Sequence, residues 1–351
     1  MERFIYQESL PASSPRLYPL MHCSGGLIIY IFTLPDYLKT MKRKIIKLGQ
    51  ATYVLSLPSK WIRQFDLKQG DYLEVEETER NLIVGPEKVL KKSSIQFDLR
   101  KGNSELLEAY LLTAYRQGYD QIEFLHEPAI AEYRAKNKRL KTTKFLQDLV
   151  NLNLIGTEII EQSEQRTVVK DLGGATPENA EQVFQRTLYL LKALAADCLE
   201  ALKKRDREVL ASLEIRQKNI KKFLLYYERL INKKAISKEK AGPILQLISR
   251  LENISASYKR LAAEVLRTNT FYSPALLEIL GRVNNSLQKL VSLCLEFNQG
   301  KCLEFLSERE ELWDEIYQFK PRGIDHLAFL YLGPLLLNIK KAVEYRFSTE
   351  L

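Results

Sequence analysis

The chain has 351 residues, 45% of them hydrophobic, which is enough for two or three domains with real cores. Lys and Arg number 53 against 44 Asp and Glu, a net charge of +9 that favours polyanionic partners where the excess is concentrated. Four cysteines (Cys23, Cys198, Cys294, Cys302) form no C-x-x-C pair, and the three histidines (His22, His126, His326) lie far apart. This argues against a disulfide framework, a structural zinc site and a Ser/His/Asp triad.

Residues 1–40 are unlike the rest. The apolar stretch Gly25 to Leu34 (GGLIIYIFTL) is about ten residues long, below the ~20 that span a bilayer. It has no basic flank before it and no small-residue cleavage site after it, so neither a transmembrane segment nor a signal peptide is expected. The segment reads as an extension from a mis-assigned start or as disordered chain, the alternative being a short membrane-surface anchor. Met41 opens what reads as a complete domain, 41–86. KIIKLGQATYVLSL (Lys44 to Leu57) predicts two strands broken at Gly49-Gln50, SKWIRQFDL a short helix after Pro58, Lys68 to Asp71 a turn, and YLEVE with LIVGP a second hairpin.

From 93 to 172 the pattern is mixed and predicts a small α/β segment. SIQFDLR and QIEFLHE read as strands, Ser104 to Arg116 and Lys144 to Leu154 as helices, and TEIIEQ with RTVVKDL as a β pair around Ser163-Glu164-Gln165. The basic run Arg134 to Lys144 (RAKNKRLKTTK) reads as a solvated loop, with nucleic-acid contact as its alternative. Gly173 to Pro177 is a linker, and Thr176-Pro177-Glu178 supplies an N-cap, a first-turn proline and an early acid. The remainder, 178–347, predicts an all-helical domain with helices at about 178–205, 208–233, 243–268, 274–299, 301–319 and 324–347. Ile244, Leu247, Leu251, Ile254, Tyr258, Leu261 and Val265 form the clearest seam, with Gly242-Pro243 and Ser273-Pro274 as its punctuation. Cys198-Leu199-Glu200 recurs as Cys294-Leu295-Glu296, and Val209-Leu210 with Leu213 is echoed by Cys302-Leu303 with Leu306. The six helices therefore read as a three-helix bundle counted twice.

Charge is concentrated at the start of the first domain. Between Met41 and Lys68 stand Lys42, Arg43, Lys44, Lys47, Lys60, Arg63 and Lys68 against Asp66 alone, whereas Asp71, Glu74, Glu76, Glu77 and Glu79 gather on the following hairpin. A cationic strand and short helix suit phosphate contact, which supplies most of the free energy of DNA binding and fixes register.

The run RKIIKLGQATYVLSLPSKWIRQFDLKQGDYLEVE resembles the AbrB (SpoVT-AbrB) family over about 45 residues. The resemblance implies a swapped-hairpin β domain, in which two chains interleave into one dimeric core, and DNA contacts from the first strand, the loop after it and the short helix. Carried over by position, Arg43, Lys44, Lys47 and Arg63 are the expected contacts, with Lys42, Lys60 and Gln50 beside them. Gln50 stands where the family commonly has Arg, a departure that bears on base readout. The helical part resembles the PhoU family of phosphate uptake regulators through its duplication and through RLENISASYKRLAAE (Arg250 to Glu264). An AbrB-like head on a PhoU-like body is an arrangement of archaeal phosphate uptake regulators. The resemblance implies a multidomain, non-catalytic, cytoplasmic homodimer that binds DNA and has a phosphate transporter or signalling proteins as further partners. Members of the helical family hold metal through Glu-x-x-x-Asp pairs. Only Glu310 and Asp314 keep that spacing in full here, because Glu214 is followed by Lys218 and the family's Asp-His reads Ala256-Ser257. A metal-dependent hydrolase built on Glu310 and Asp314 is the enzymatic rival, and a solvated acidic face is the expected use of that helix.

Overall fold

The computed structural model describes residues 42–49, 52–77, 82–86, 94–132, 135–173, 176–233 and 238–350. The expectations for residues 1–40, and those for Gln50 and Glu79, lie outside the described residues. The chain divides into two compact units, Met1–Val89 and Leu90–Leu351.

In the first unit, β1 (Ile45–Leu48) and β2 (Thr52–Leu55) form an antiparallel hairpin that pairs Ile45 with Leu55 and Lys47 with Tyr53. Gly49 sits at φ +75°, a conformation that a side chain would strain. Helix α1 (Ser59–Gln64) follows Pro58. The chain then turns at Lys68–Asp71, where Gly70 takes φ +96° and the Asp71 carboxylate accepts from the Lys68 N–H at 2.8 Å. Strands β3 (Leu73–Glu77) and β4 (Leu82–Pro86) make a second hairpin.

The second unit begins with a βαβ crossover: β5 (Ser94–Asp98), α2 (Ser104–Arg116) and β6 (Gln121–Leu125), with β5 and β6 parallel. Asn103 caps α2 by accepting from the Leu106 N–H. A hairpin of β7 (Ala129–Glu132) and β8 (Ala135–Lys141) leads into α3 (Thr142–Asn153), then β9 (Thr157–Gln162) and β10 (Arg166–Asp171). The main sheet has the order β5-β6-β10-β9. Its core lies on one face, where Leu107 and Leu111 of α2 and Leu146 and Val150 of α3 pack on Ile122, Phe124 and Val169.

The β7–β8 hairpin corrects the sequence reading. The stretch Arg134 to Lys144, read as a loop, is strand from Ala135 to Lys141 and helix from Thr142. Ile130 and Leu140 stand opposite each other and sink into the core of the layer, so the strand is fixed by its apolar face despite a polar composition.

Among the described residues six long helices follow: α4 (Pro177–Lys204), α5 (Arg207–Asn232), α6 (Lys238–Thr268), α7 (Pro274–Leu295), α8 (Gln299–Gln318) and α9 (Asp325–Ser348). Thr176, Asp206, Ser273 and Asn298 cap four of them through side-chain oxygens. Helices α4, α5 and α6 pack on one another, α7, α8 and α9 do likewise, and the triplets meet through α4 on α7 and α6 on α9. One hydrophobic core runs through all six.

Three boundaries differ from expectation. Helix α6 already includes Lys238, five residues before Pro243; the proline removes one hydrogen bond near this end, a loss that burial of Leu247 and Leu251 downstream offsets. Helix α7 stops at Leu295 and α8 starts at Gln299, because the Asn298 side chain caps α8. The internal echo is also shifted. Leu210 and Leu213 are buried and so are Cys302 and Phe305, whereas Leu303 is exposed. Leu210 therefore corresponds to Cys302, one residue earlier than the sequence pairing.

Candidate nucleic-acid interface

The first unit presents exposed cations on its first hairpin and its short helix. Lys42, Arg43 and Lys44 lead into β1, Lys47 lies on it, and Lys60 and Arg63 lie on α1; all six are exposed. Among the described residues no salt bridge holds any of them, and the Arg63 guanidinium bonds only to the Ser59 carbonyl oxygen at 3.4 Å. Lys42 to Lys47 are thus one group and Lys60 with Arg63 another. Among the described residues, helix α1 makes no extended packing on either hairpin. Glu74, Glu76 and Glu77 lie on β3, which keeps the acids on the other hairpin.

The described residues of the same unit form no core. None of its described residues is buried, and Ile45, Leu48 and Tyr53 are each more than 60% exposed. By strand alternation Lys47 shares a face with Ile45, Tyr53 and Leu55, while Ile46, Leu48 and Val54 occupy the other. Apolar side chains therefore lie bare on both faces of the hairpin. Trp61 on α1 and Phe65 at its C-cap, both half-buried, pack with their rings tilted at 58° and centroids 5.3 Å apart.

Acidic residues of α8 form ion pairs with neighbouring cations. Glu308 binds Lys289, Glu315 binds Arg282 and Glu310 binds Arg309, while Glu310 and Asp314 both face solvent. No cluster of three His, Cys, Asp or Glu able to hold a metal occurs among the described residues. Trp313 and Phe319 pack against the helical core. A cleft of about 300 Å³ where the α/β layer meets α5 is lined by Asp120, Lys170, Asp171 and Lys233, and there Lys233 bridges both carboxylates.

One consequential group was not apparent from sequence. Arg229 is 1% exposed, donates to the Tyr115 and Tyr119 carbonyl oxygens at 2.7 and 2.8 Å, and pairs with Asp171 at 3.0 Å. Burial works to raise the Asp171 pKa, but Lys233 and Arg229 outweigh it and hold the carboxyl below its ordinary value. In a helix pattern Arg229 looks like any solvated charge.

No helix among the described residues is long and apolar enough to cross a membrane. No curated protein and no solved structure matches the chain. A family model described as antidote-toxin recognition MazE, bacterial antitoxin, matches residues 46–92, the stretch from within β1 through α1 and the second hairpin. The chain thus carries an N-terminal domain of AbrB type, followed by a large and mainly helical C-terminal part.

Proposed function

We propose that the protein is a DNA-binding transcriptional regulator of phosphate uptake. It dimerises by interleaving β hairpins of the first unit, and its helical part acts as the sensor or partner-binding module. The observation that carries the reading is the composition of the first unit, with cations on β1 and α1 that no salt bridge holds among the described residues, beside apolar side chains bare on both hairpin faces. Burying a large apolar side chain is worth about 1.5–3 kcal/mol, and a segment this small cannot bury its own, so a second copy supplies the missing core. Dimerisation also doubles the cationic surface, as binding along a duplex requires. The MazE-type match to 46–92 supports the domain type.

The phosphate assignment rests on the resemblance of Arg250 to Glu264 to the PhoU family and on the two helix triplets joined through α4, α7, α6 and α9. This reading requires no catalysis. A second reading, a PhoU-like modulator that binds protein partners and no DNA, is favoured by one residue: Gln50 in place of the family's Arg.

Binding-site selection from random duplexes with the full-length protein, followed by mobility shift at graded salt, tests this. Selected duplexes are expected to bind as one dimer per site, with affinity falling steeply as salt rises and lost on Arg43→Glu/Lys47→Glu. Failure to bind any duplex at low salt overturns the reading in favour of the modulator.

A further inference from the structure

We propose that the β7–β8 hairpin is a second nucleic-acid contact, in which Arg139 and Lys141 hold the phosphate backbone of duplex DNA. This rests on the DNA-binding reading and extends it to the second unit.

The register of the hairpin divides its side chains. Ile130 and Leu140 face each other and enter the core of the α/β layer. The alternate positions, Arg139 and Lys141, therefore point away from it. Opposite them stand Ala131 and Ala129, so no carboxylate lies directly across the strand pair. Two other cations of the run are neutralised, Lys138 by Glu132 at 3.1 Å and Lys144 by Asp148 at 2.8 Å. Arg139 instead gives one N–H to the Ala129 carbonyl oxygen on the paired strand and stays exposed. Among the described residues no salt bridge holds Arg139 or Lys141. The turn that carries Lys101, likewise exposed and without a salt bridge, reaches the hairpin through the backbone bridge between Asn103 and Ala131.

The chemistry that fits this face is a hydrated polyanion. Arg139 and Lys141 are two residues apart, about 7 Å along the strand. A DNA strand presents one phosphate per ~3.4 Å of helix axis, so the pair spans about two phosphates. The guanidinium can grip phosphate oxygens in bidentate fashion, and the alanine methyls leave room for close approach. Ala129 and Ala131 are the only apolar groups among the described residues of this face, too little to insert into a bilayer as a membrane-surface element does.

The test uses the full-length chain and a mixed-sequence duplex of about four helical turns, with fluorescence anisotropy over a salt series. Wild type is compared with Arg139→Glu/Lys141→Glu, with the milder Arg139→Gln/Lys141→Gln and with Arg43→Glu/Lys47→Glu. The hairpin variants are expected to bind more weakly and to lower the slope of log affinity against log salt by about two per chain, in addition to the loss from Arg43 and Lys47. Should the folded Gln variant keep wild-type affinity and slope, Arg139 and Lys141 only guard a strand edge, and the N-terminal interface stands without them. If wild type binds no duplex at low salt, the DNA-binding reading itself falls and takes this contact with it.

Discussion

Arg229 of α5 and Asp171 at the end of β10 form a buried ion pair that fastens the helices to the α/β layer, with N–O separation 3.0 Å and side chains 1% and 8% exposed. The pair is fully hydrogen-bonded. Arg229 also satisfies the Tyr115 and Tyr119 carbonyls and lies over the Tyr115 ring, and the other carboxylate oxygen accepts from the Gly173 N–H. Removing one partner of such a pair leaves an uncompensated buried charge, at a cost of about 3–5 kcal/mol. The two sides are not equivalent here. Arg229→Met leaves Asp171 with Lys233, whereas Asp171→Ala leaves Arg229 with carbonyl oxygens alone. Urea unfolding is expected to show Asp171→Ala as the more destabilised; equal midpoints would mean that Lys233 does not share the load.

His126 gives the fold a dependence on pH. The ring is buried at the end of β6, with Nδ1 on the Glu127 carbonyl oxygen at 3.0 Å and Nε2 on the Thr167 hydroxyl at 2.9 Å. A carbonyl only accepts, so Nδ1 donates and Nε2 accepts, the tautomer of a neutral imidazole. Burial lowers its pKa below the ordinary 6.5, against a smaller opposing effect of the Glu127 carbonyl. The unfolded chain therefore takes up a proton first as pH falls below about 6.5, and stability drops from there until the folded ring also titrates. His126→Gln is expected to flatten the fall in melting temperature between about pH 7 and pH 5; an unchanged slope would assign the acid sensitivity to other groups.

The bare faces of the β1–β2 hairpin predict that a charge there breaks the dimer. Leu48 and Val54 lie on one face of it. Leu48→Asp places a carboxylate where the proposed second copy must pack, and a buried unpaired charge opposes association more strongly than a lost methyl group does. Light scattering is expected to give a dimer for wild type and a monomer for Leu48→Asp. Wild-type monomers at micromolar concentration would refute the shared core.

Burial of the thiols predicts their chemistry. It pushes Cys198 and Cys294 up to about 12, and the Cys198 sulfur rests 3.8 Å from the Tyr258 carbonyl oxygen. Thiolate is the reactive form, so iodoacetamide at about pH 8 is expected to spare both in native protein and to label both in urea, as peptide mass spectrometry reads. Native labelling at the urea rate would show that α4 and α7 open readily.

The helices were legible because one apolar stripe determines each. Leu247, Leu251, Ile254, Tyr258, Leu261 and Val265, spaced by three or four in the sequence, are all buried. The β7–β8 hairpin was not, since Ile130 and Leu140 are isolated apolar residues among alanines and cations, and only their pairing across the turn reveals a strand. Of the interface, charge was legible and packing was not. Lys42 to Arg63 stand out by count, yet no described element of the first unit covers Ile45, Leu48 or Tyr53. Arg229 was hidden for the opposite reason, because its partners Tyr115, Tyr119 and Asp171 lie far away in sequence.

A polar chain crosses the seam between the helix triplets and predicts a non-additive response to mutation. The Tyr258 hydroxyl on α6 donates to Asn284 Oδ1 on α7 at 2.7 Å, and Asn284 Nδ2 donates to the Ala195 carbonyl oxygen on α4 at 2.8 Å. Burial holds the tyrosine pKa well above its ordinary value, so the hydroxyl stays a donor. Tyr258→Phe strands the amide oxygen of Asn284, and Asn284→Leu strands the Tyr258 hydroxyl, each costing about 1–3 kcal/mol for a buried group without a partner. In the double variant neither of these groups remains to be stranded, and only the Ala195 carbonyl loses its bond. The sum of the single losses is therefore expected to exceed the double loss by about 0.5–3 kcal/mol in urea unfolding. Additive losses would mean that the two side chains do not bond in solution.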